Sequence, residues 1–250
     1  MRLAFSLAPL FALAACQSAQ TTDDAAVPHS AFPNAERLSA PIESPRWSTE
    51  PARDKAHEAD DVMAAVHVAP GMTVADIGAG EGYYTIHLAP KVGKKGRVVA
   101  EDIEKDYVAT LADRIARDRL DNVSVKLGVP EDPMLPAHSF DRIFMIHMYH
   151  EIASPFEFLW RMRPALNDKG EVDVVDVDRP TQAHGTPPAL LICEFGQVGY
   201  KLVALKDMPS AGGYLARFHA KGDRPAPDQI KACSLGATPP PAAGATADHS

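Results

Sequence analysis

The sequence lacks the excess of basic residues that binding to a nucleic-acid backbone requires. Its 250 residues include 25 lysines and arginines against 33 aspartates and glutamates, which gives a formal net charge of −8. A protein that neutralises the phosphates of a nucleic acid carries a basic surface instead. Nucleic acid is therefore not an expected partner.

Aromatic residues are also few, at 7%, but the hydrophobic fraction of 46% and the charged fraction of 23% are those of an ordinary globular protein. The 22 prolines and 16 glycines are more frequent near both ends of the chain. This composition predicts one folded domain that is shorter than the whole chain.

A hydrophobic run long enough to cross a bilayer is missing from the N-terminal region. The apolar run from Leu3 to Ala15 is shorter than the roughly 20 residues that a membrane-spanning helix needs. Because it follows one basic residue, Arg2, it is typical of a secretory signal, with a frayed N-terminal helix as the alternative.

This run ends in Leu13-Ala14-Ala15-Cys16, which resembles a bacterial lipobox, whose cysteine is diacylated and becomes the new N-terminus. We therefore expect a signal peptide at residues 1–15 and a lipid anchor at Cys16. The mature chain would be periplasmic and attached to a membrane, with Gln17 favouring the outer membrane.

Cysteines are scarce as well, since only two of the three remain once Cys16 is assigned to lipid. In an exported protein Cys193 and Cys233 favour a disulfide, and two unpaired thiols are the alternative. Residues 16–46 have few large apolar groups and predict a flexible tether. The Pro- and Ala-rich residues 221–250 predict a disordered tail, which leaves 47–220 as the domain.

Strand and helix patterns alternate through the middle of the chain. Strands are predicted at 73–77, 97–102, 122–127, 140–147 and 171–177, and helices at about 53–68, 83–91, 104–118 and 154–166. A helix at about 188–197 and two strands at 200–206 and 214–219, joined by a short turn, follow. The alternation predicts a doubly wound, Rossmann-like α/β fold whose mostly parallel sheet ends in an antiparallel hairpin.

Three glycines at alternate positions, Gly78, Gly80 and Gly82, come directly after the first strand and before a helix. Glycine allows a tight turn and a close approach of the backbone to a ligand. The spacing differs from the Gly-x-Gly-x-x-Gly pattern of dinucleotide sites, and Glu81 would repel a phosphate. The loop therefore favours a ligand other than a dinucleotide.

Acidic residues follow the next two strands. Asp102 ends the second strand, where a carboxylate can accept both ribose hydroxyls of a nucleoside. Glu131 and Asp132 follow the third strand, within reach of an adenine amino group. Each acid alone could be a solvated loop charge, but acids at successive strand ends together predict a nucleoside site.

Residues 50–220 resemble the class I S-adenosylmethionine-dependent methyltransferases. Asp76 to Gly82 is similar to their first motif, Arg97 to Asp102 to their second-strand motif, and Leu135 to Ile143 to their fourth-strand region. The resemblance implies a seven-stranded sheet and the cofactor S-adenosylmethionine. It implies that Asp76 and the glycines hold the methionine moiety, Asp102 the ribose, and Glu131 or Asp132 the adenine.

The segment His147-Met148-Tyr149-His150-Glu151 follows the fourth strand, at the edge where open α/β sheets bind ligands. We expect His150 to accept a proton from the methyl acceptor, Tyr149 to orient the acceptor and His147 to line the cofactor pocket. The alternative is that these side chains cap the strand. A metal site at His147, His150 and Glu151 is disfavoured, because the spacing is not His-Glu-x-x-His.

Asp176 and Asp178 end the fifth strand, which is unusually acidic for a strand covered on both faces. They could face the same crevice as His150 or be exposed charges.

The sequence thus predicts a lipid-anchored methyltransferase acting on an unidentified small molecule. S-adenosylmethionine is normally cytosolic, so a catalytically silent lipoprotein that binds adenosine-like ligands is the alternative, as is an uncleaved signal on a cytosolic enzyme. The acceptor and the oligomeric state stay open.

Overall fold

Seven strands form a single sheet in the computed structural model, which describes residues 24–42 and 48–234. They are β1 (Thr73–Ile77), β2 (Arg97–Asp102), β3 (Val123–Leu127), β4 (Phe140–Ile146), β5 (Leu166–Asp176), β6 (Tyr200–Met208) and β7 (Gly213–Ala220). Their order across the sheet is β3-β2-β1-β4-β5-β7-β6. The strands from β1 to β5 pair in parallel, and β7 is antiparallel to both β5 and β6. The predicted Rossmann-like fold with an antiparallel end is confirmed.

The α-helices are α1 (Glu50–Lys55), α2 (Glu58–Ala65), α3 (Tyr83–Val92), α4 (Lys105–Asp118), α5 (Pro155–Met162) and α6 (Pro188–Gln197). The predicted helix at 53–68 is two helices, because His57 between them has a left-handed backbone with φ of 58°. One apolar cluster packs α5 and α6 against one face of the sheet, and a second packs α2 and α3 against the other.

The acidic character of β5 is explained by its neighbours in the sheet. Asp173 is fully buried, and Arg142 of β4 and Arg217 of β7 lie 3.7 and 3.8 Å from its carboxylate oxygens. Burial raises the pKa of Asp173 to about 8, although both arginines oppose this shift. Charged residues in a doubly covered strand are tolerated here because partners come from both adjacent strands.

The described part of the predicted tether packs on the domain, and the expectation of a flexible segment is wrong for these residues. We call residues 24–42 the N-terminal strap. Phe32 of the strap is buried against Trp160, with ring centroids 5.4 Å apart. Arg37 forms an ion pair with Glu194 of α6, and the side chains of both are 1% exposed. The polar composition predicted flexibility, but a few apolar side chains and buried ion pairs are enough to bind such a segment to the surface of a folded domain.

The first part of the predicted tail is also ordered. Trp160 donates a hydrogen bond to the carbonyl of Pro225, and Ile230 is buried in the core cluster. A disulfide joins Cys193 of α6 to Cys233, which confirms the favoured pairing. The domain therefore extends beyond the predicted limits of 47–220 at both ends.

Residues 1–23, including the predicted signal peptide and Cys16, and residues 235–250 lie outside the described residues. Within the part of the chain that the structure describes, no helix is both long and apolar enough to cross a membrane.

Candidate active site

A cavity of about 330 Å³ opens at the carboxyl ends of β1, β2 and β4. The chain order of the parallel strands reverses between β1 and β4. Open α/β sheets bind their ligands at this edge, and the volume lies within the range of roughly 300–1,000 Å³ usual for small-molecule sites. The strap covers one side of the cavity. Its lining includes Ser39, Ala40, Pro41, Ile42, Gly78, Glu101, Asp102, Tyr107, Pro130, Met148 and Glu151.

The glycine loop lies against this cavity in a backbone conformation that other residues rarely adopt. Gly78 has a φ of 65°, and a Cβ added there would lie 3.1 Å from Cγ of Met148. Gly82 has a φ of 86°, and a Cβ there would lie 2.3 Å from Cδ1 of Leu111 in α4. The loop thus needs glycine both for its turn and for its packing.

Asp102 fixes the loop from the end of β2. Its Oδ2 accepts a hydrogen bond of 2.8 Å from the Gly80 amide, and its Oδ1 accepts one of 2.9 Å from the Glu104 amide. A carboxylate has about four acceptor positions, so two remain for hydroxyl groups of a ligand. Asp76, in β1, instead accepts a bond of 2.6 Å from the Thr85 hydroxyl, and burial raises its pKa to about 6.

Glu101 is a cavity residue to which the sequence prediction assigned no role. It is 1% exposed, and its Oε1 has no hydrogen-bond partner among the described residues. Burial, with the nearby charge of Asp102, raises its pKa to about 8. Because adjacent residues of a strand point to opposite faces of the sheet, the position of Glu101 next to Asp102 did not predict that both acids line one cavity.

The acids after β3 have a different place. Pro130 lines the cavity at this edge, whereas the lining includes neither Glu131 nor Asp132. Asp132 accepts a hydrogen bond of 2.6 Å from the amide of Met134. At the edge of the cavity next to β3, the lining is therefore the turn that contains Pro130 and not these two acids.

His150 is held by a carboxylate at the end of β5. It is 1% exposed, and its Nδ1 lies 3.0 and 3.1 Å from the two carboxylate oxygens of Asp176. The Thr186 hydroxyl donates a further hydrogen bond of 2.7 Å to Asp176. Since Asp176 engages Nδ1, Nε2 is the ring nitrogen that can meet a ligand.

The predicted role of Tyr149 is contradicted by its contacts. The side chain is fully buried, its hydroxyl donates a hydrogen bond of 2.7 Å to Glu194, and the ring lies 5.4 Å from the guanidinium of Arg37. Tyr149 therefore links α6 to the strap instead of facing an acceptor.

His147 points away from the cavity as well. Its Nε2 lies 3.9 Å from Glu58 of α2, and burial, together with the charge of Arg53, lowers its pKa well below the usual value. Glu58 also accepts hydrogen bonds from Arg53 and from the hydroxyl of Tyr84. His147 therefore lies next to a cluster of polar side chains on the α2 side of the sheet.

Two further residues lie near His150. One ligand atom from each of His150, Glu151 and His184 lies within 4.8 Å of the other two. The rings of His150 and His184 meet edge to face, with centroids 5.4 Å apart. The sequence did not reveal His184, which follows a short 3-10 helix at Thr181–Ala183, far from the strand-end motif.

Asp178 does not share the crevice with Asp176, contrary to one expectation. It lines a separate cavity of about 540 Å³ with Lys206 and Tyr214, beside the β6–β7 hairpin.

A family model and several known proteins match parts of this chain. A family model described as a methyltransferase domain matches residues 69–198. Nocamycin O-methyltransferase of Saccharothrix syringae is 42% identical over 72 residues, which are 29% of this chain and 26% of that protein. The ubiquinone/menaquinone biosynthesis C-methyltransferase UbiE of Hydrogenovibrio crunogenus is 28% identical over 116 residues, 46% of each chain.

Solved structures share the fold. The crystal structure of a SAM-dependent methyltransferase from Aquifex aeolicus superposes with a TM-score of 0.61 at 23% identity and covers 67% of this chain and 91% of that one. The matches to the two curated relatives span less than half of their lengths.

Proposed function

Because the chain belongs to the S-adenosylmethionine-dependent methyltransferases, we propose that it methylates a small molecule at the cavity between the N-terminal strap and the sheet. When bound, S-adenosylmethionine supplies an electrophilic methyl group carried on a sulfonium sulfur. The protein must then hold the cofactor, align the acceptor with the methyl group and exclude water.

The residues around the cavity fit this cofactor. Asp102 retains acceptor positions for the ribose hydroxyls, and Glu101 lines the same cavity as a second carboxyl group. Gly78 lines the cavity and has no side chain between its backbone and a ligand. We assign the methionine moiety to the loop between Asp76 and Gly82 and the adenine to the turn that contains Pro130.

His150 is the residue that we assign to the acceptor. Asp176 and the surrounding core fix the imidazole, so the ring loses little conformational entropy when the acceptor binds. The adjacent residue Glu151 lines the cavity, which supports a position of the His150 side chain near the cofactor. A ring held in this way can engage the heteroatom that receives the methyl group, or its proton.

The covering strap favours a small acceptor. Ser39, Pro41 and Ile42 form part of the wall, and the backbone amide of Ala40 donates a hydrogen bond of 3.0 Å to the carbonyl of His150. An acceptor must therefore pass between the strap and the strand-end loops, which suits a compact molecule better than a polymer.

We also propose that the enzyme acts in the periplasm, anchored by lipid at Cys16. Two observations support this location: the lipobox-like Leu13-Ala14-Ala15-Cys16 and the disulfide between Cys193 and Cys233, a bond that persists in oxidising compartments. In membrane fractionation of the producing cells, wild type should be found with membranes and Cys16→Ala should be released. Equal distribution of the two proteins would refute the anchor.

Calorimetric titration of the purified chain with S-adenosylmethionine, S-adenosylhomocysteine and NAD tests the proposed function. We expect the first two to bind and NAD not to bind. Release of S-adenosylhomocysteine is then followed with a panel of phenols, quinols and amines. Binding of the cofactor without turnover of any acceptor would favour the catalytically silent alternative, and absence of cofactor binding would refute the assignment of the cavity.

A further inference from the structure

Three side chains of the types that bind metal ions meet beside the cavity. One ligand atom from each of His150, Glu151 and His184 lies within 4.8 Å of the other two. Ligands of one transition-metal ion lie roughly 3 to 3.5 Å apart, given metal–ligand bonds of about 2.0–2.2 Å. Glu151 and His184 are only half-buried, so small rotations of their side chains can bring the three groups to this spacing.

His150 already has the environment of a metal-binding histidine. Metal-bound histidines commonly donate their second ring N–H to a carboxylate, which fixes the tautomer and the ring orientation. Asp176 provides this carboxylate at Nδ1, and it is itself bound by the Thr186 hydroxyl and the Val177 amide. The arrangement leaves Nε2 of His150 as the metal-binding atom.

We propose that His150, Glu151 and His184 bind one divalent transition-metal ion, such as Zn²⁺ or Fe²⁺. Two imidazoles and one carboxylate suit these ions, and three protein ligands leave coordination positions open. The disulfide occupies both Cys193 and Cys233, so neither thiol competes as a ligand.

The open positions would bind the heteroatom of the methyl acceptor. Glu151 lines the cofactor cavity, so a ligand on this ion would lie next to the methyl donor. This role rests on the proposed function, whereas metal binding itself does not.

Metal binding is tested by equilibrium dialysis of the full chain against Zn²⁺, with metal content measured by mass spectrometry. All proteins carry Cys16→Ala, so that an unmodified thiol does not bind zinc. The variants are Glu151→Gln and His184→Asn, since asparagine tolerates the left-handed backbone at His184, where φ is 57°. The matched control is His219→Gln, a half-buried histidine of β7 outside the cluster.

We expect one equivalent of Zn²⁺ on the Cys16→Ala protein and on its His219→Gln variant, and at least tenfold weaker binding by the two cluster variants. Substitution with Co²⁺ should give visible absorption bands that shift in Asp176→Asn, because Asp176 orients a ligand. The proposal would be overturned if the Cys16→Ala protein retained no zinc, or if its His184→Asn and Glu151→Gln variants retained as much zinc as it does.

Titration with S-adenosylmethionine on the same samples separates the two proposals. Zinc binding without cofactor binding would leave the metal site standing and remove the proposed function. Cofactor binding without zinc binding would refute the metal site and leave the proposed function standing. His150 would then engage the acceptor without a metal ion.

Discussion

Replacing Arg37 with methionine tests whether the N-terminal strap is an integral part of the fold. Arg37 and Glu194 are each 1% exposed in their side chains, and Nε of Arg37 donates a hydrogen bond of 2.8 Å to Glu194. Methionine keeps most of the aliphatic volume but removes the charge. Glu194 is then left buried, with the Tyr149 hydroxyl as its hydrogen-bond donor.

The size of the effect follows from the burial. Removing one partner of a buried ion pair typically costs about 3–5 kcal/mol, because the other charge stays desolvated and uncompensated. The exposed pair Arg117–Asp118, with side chains 68% and 38% exposed, provides a control. Its loss through Arg117→Met should cost below about 1 kcal/mol.

The assay is urea-induced unfolding followed by circular dichroism, and the same variants are titrated with S-adenosylmethionine. We expect Arg37→Met to lower the free energy of unfolding by about 3–5 kcal/mol. The double variant Arg37→Met/Glu194→Gln should regain part of this loss, because it leaves no charge buried. Cofactor affinity of Arg37→Met should also fall, since Ser39 to Ile42 line the cavity and depend on the anchored strap.

Two results would refute this reasoning. One is a loss of stability no larger than that of Arg117→Met, which would mean that the pair is solvated or absent in solution. The other is a double variant that is as unstable as the sum of its single substitutions, which would mean that the two charges do not interact.

Other substitutions address the cavity and the disulfide. Asp102→Ala should weaken cofactor binding by about 1–3 kcal/mol in calorimetry through its lost charged hydrogen bonds, and unchanged affinity would exclude the ribose assignment. Cys193→Ser should lower the free energy of unfolding by about 2–4 kcal/mol, since the disulfide joins residues with a sequence separation of 40. A reductant should destabilise the wild type by the same amount and should not change the stability of Cys193→Ser. Burial raises the pKa of Glu101 from 4.5 to about 8, so the folded state holds this proton more tightly than the unfolded state does. The free energy of unfolding should therefore fall as the pH rises between these two values, by at most about 5 kcal/mol. Glu101→Gln should remove this part of the pH dependence, which denaturant unfolding at pH 5 and pH 9 measures. The same change in the free energy of unfolding between the two pH values for wild type and Glu101→Gln would contradict the prediction.

Much of the fold could be predicted because its signals are local. The bounds of β1 at Thr73–Ile77 and of β2 at Arg97–Asp102 agree with the prediction, since short β-branched runs between turns leave little choice. The antiparallel hairpin of β6 and β7 was recognisable from two strands joined by a turn too short for a parallel crossover. The break at His57 was not recognisable, because one histidine between residues that favour a helix is a weak signal of a left-handed backbone.

The strap shows where composition fails as a guide. A segment that is poor in apolar residues can still be ordered if its few anchors find partners elsewhere, and Asp24 pairs with Arg224 at nearly the other end of the chain. Such pairs leave no periodic trace in the sequence.

Local sequence was enough to predict the order of strands and helices, the glycine loop and the position of Asp102 at a strand end, because these depend on neighbours within a few residues. The side chains that meet at this edge became known from the three-dimensional fold: Glu101 lines the cavity, His184 lies beside His150, and Tyr149 binds Glu194. Burial and pairing depend on distances across the fold, between residues far apart in the chain. A carboxylate or an imidazole acquires its role from the groups that desolvate it and bind it.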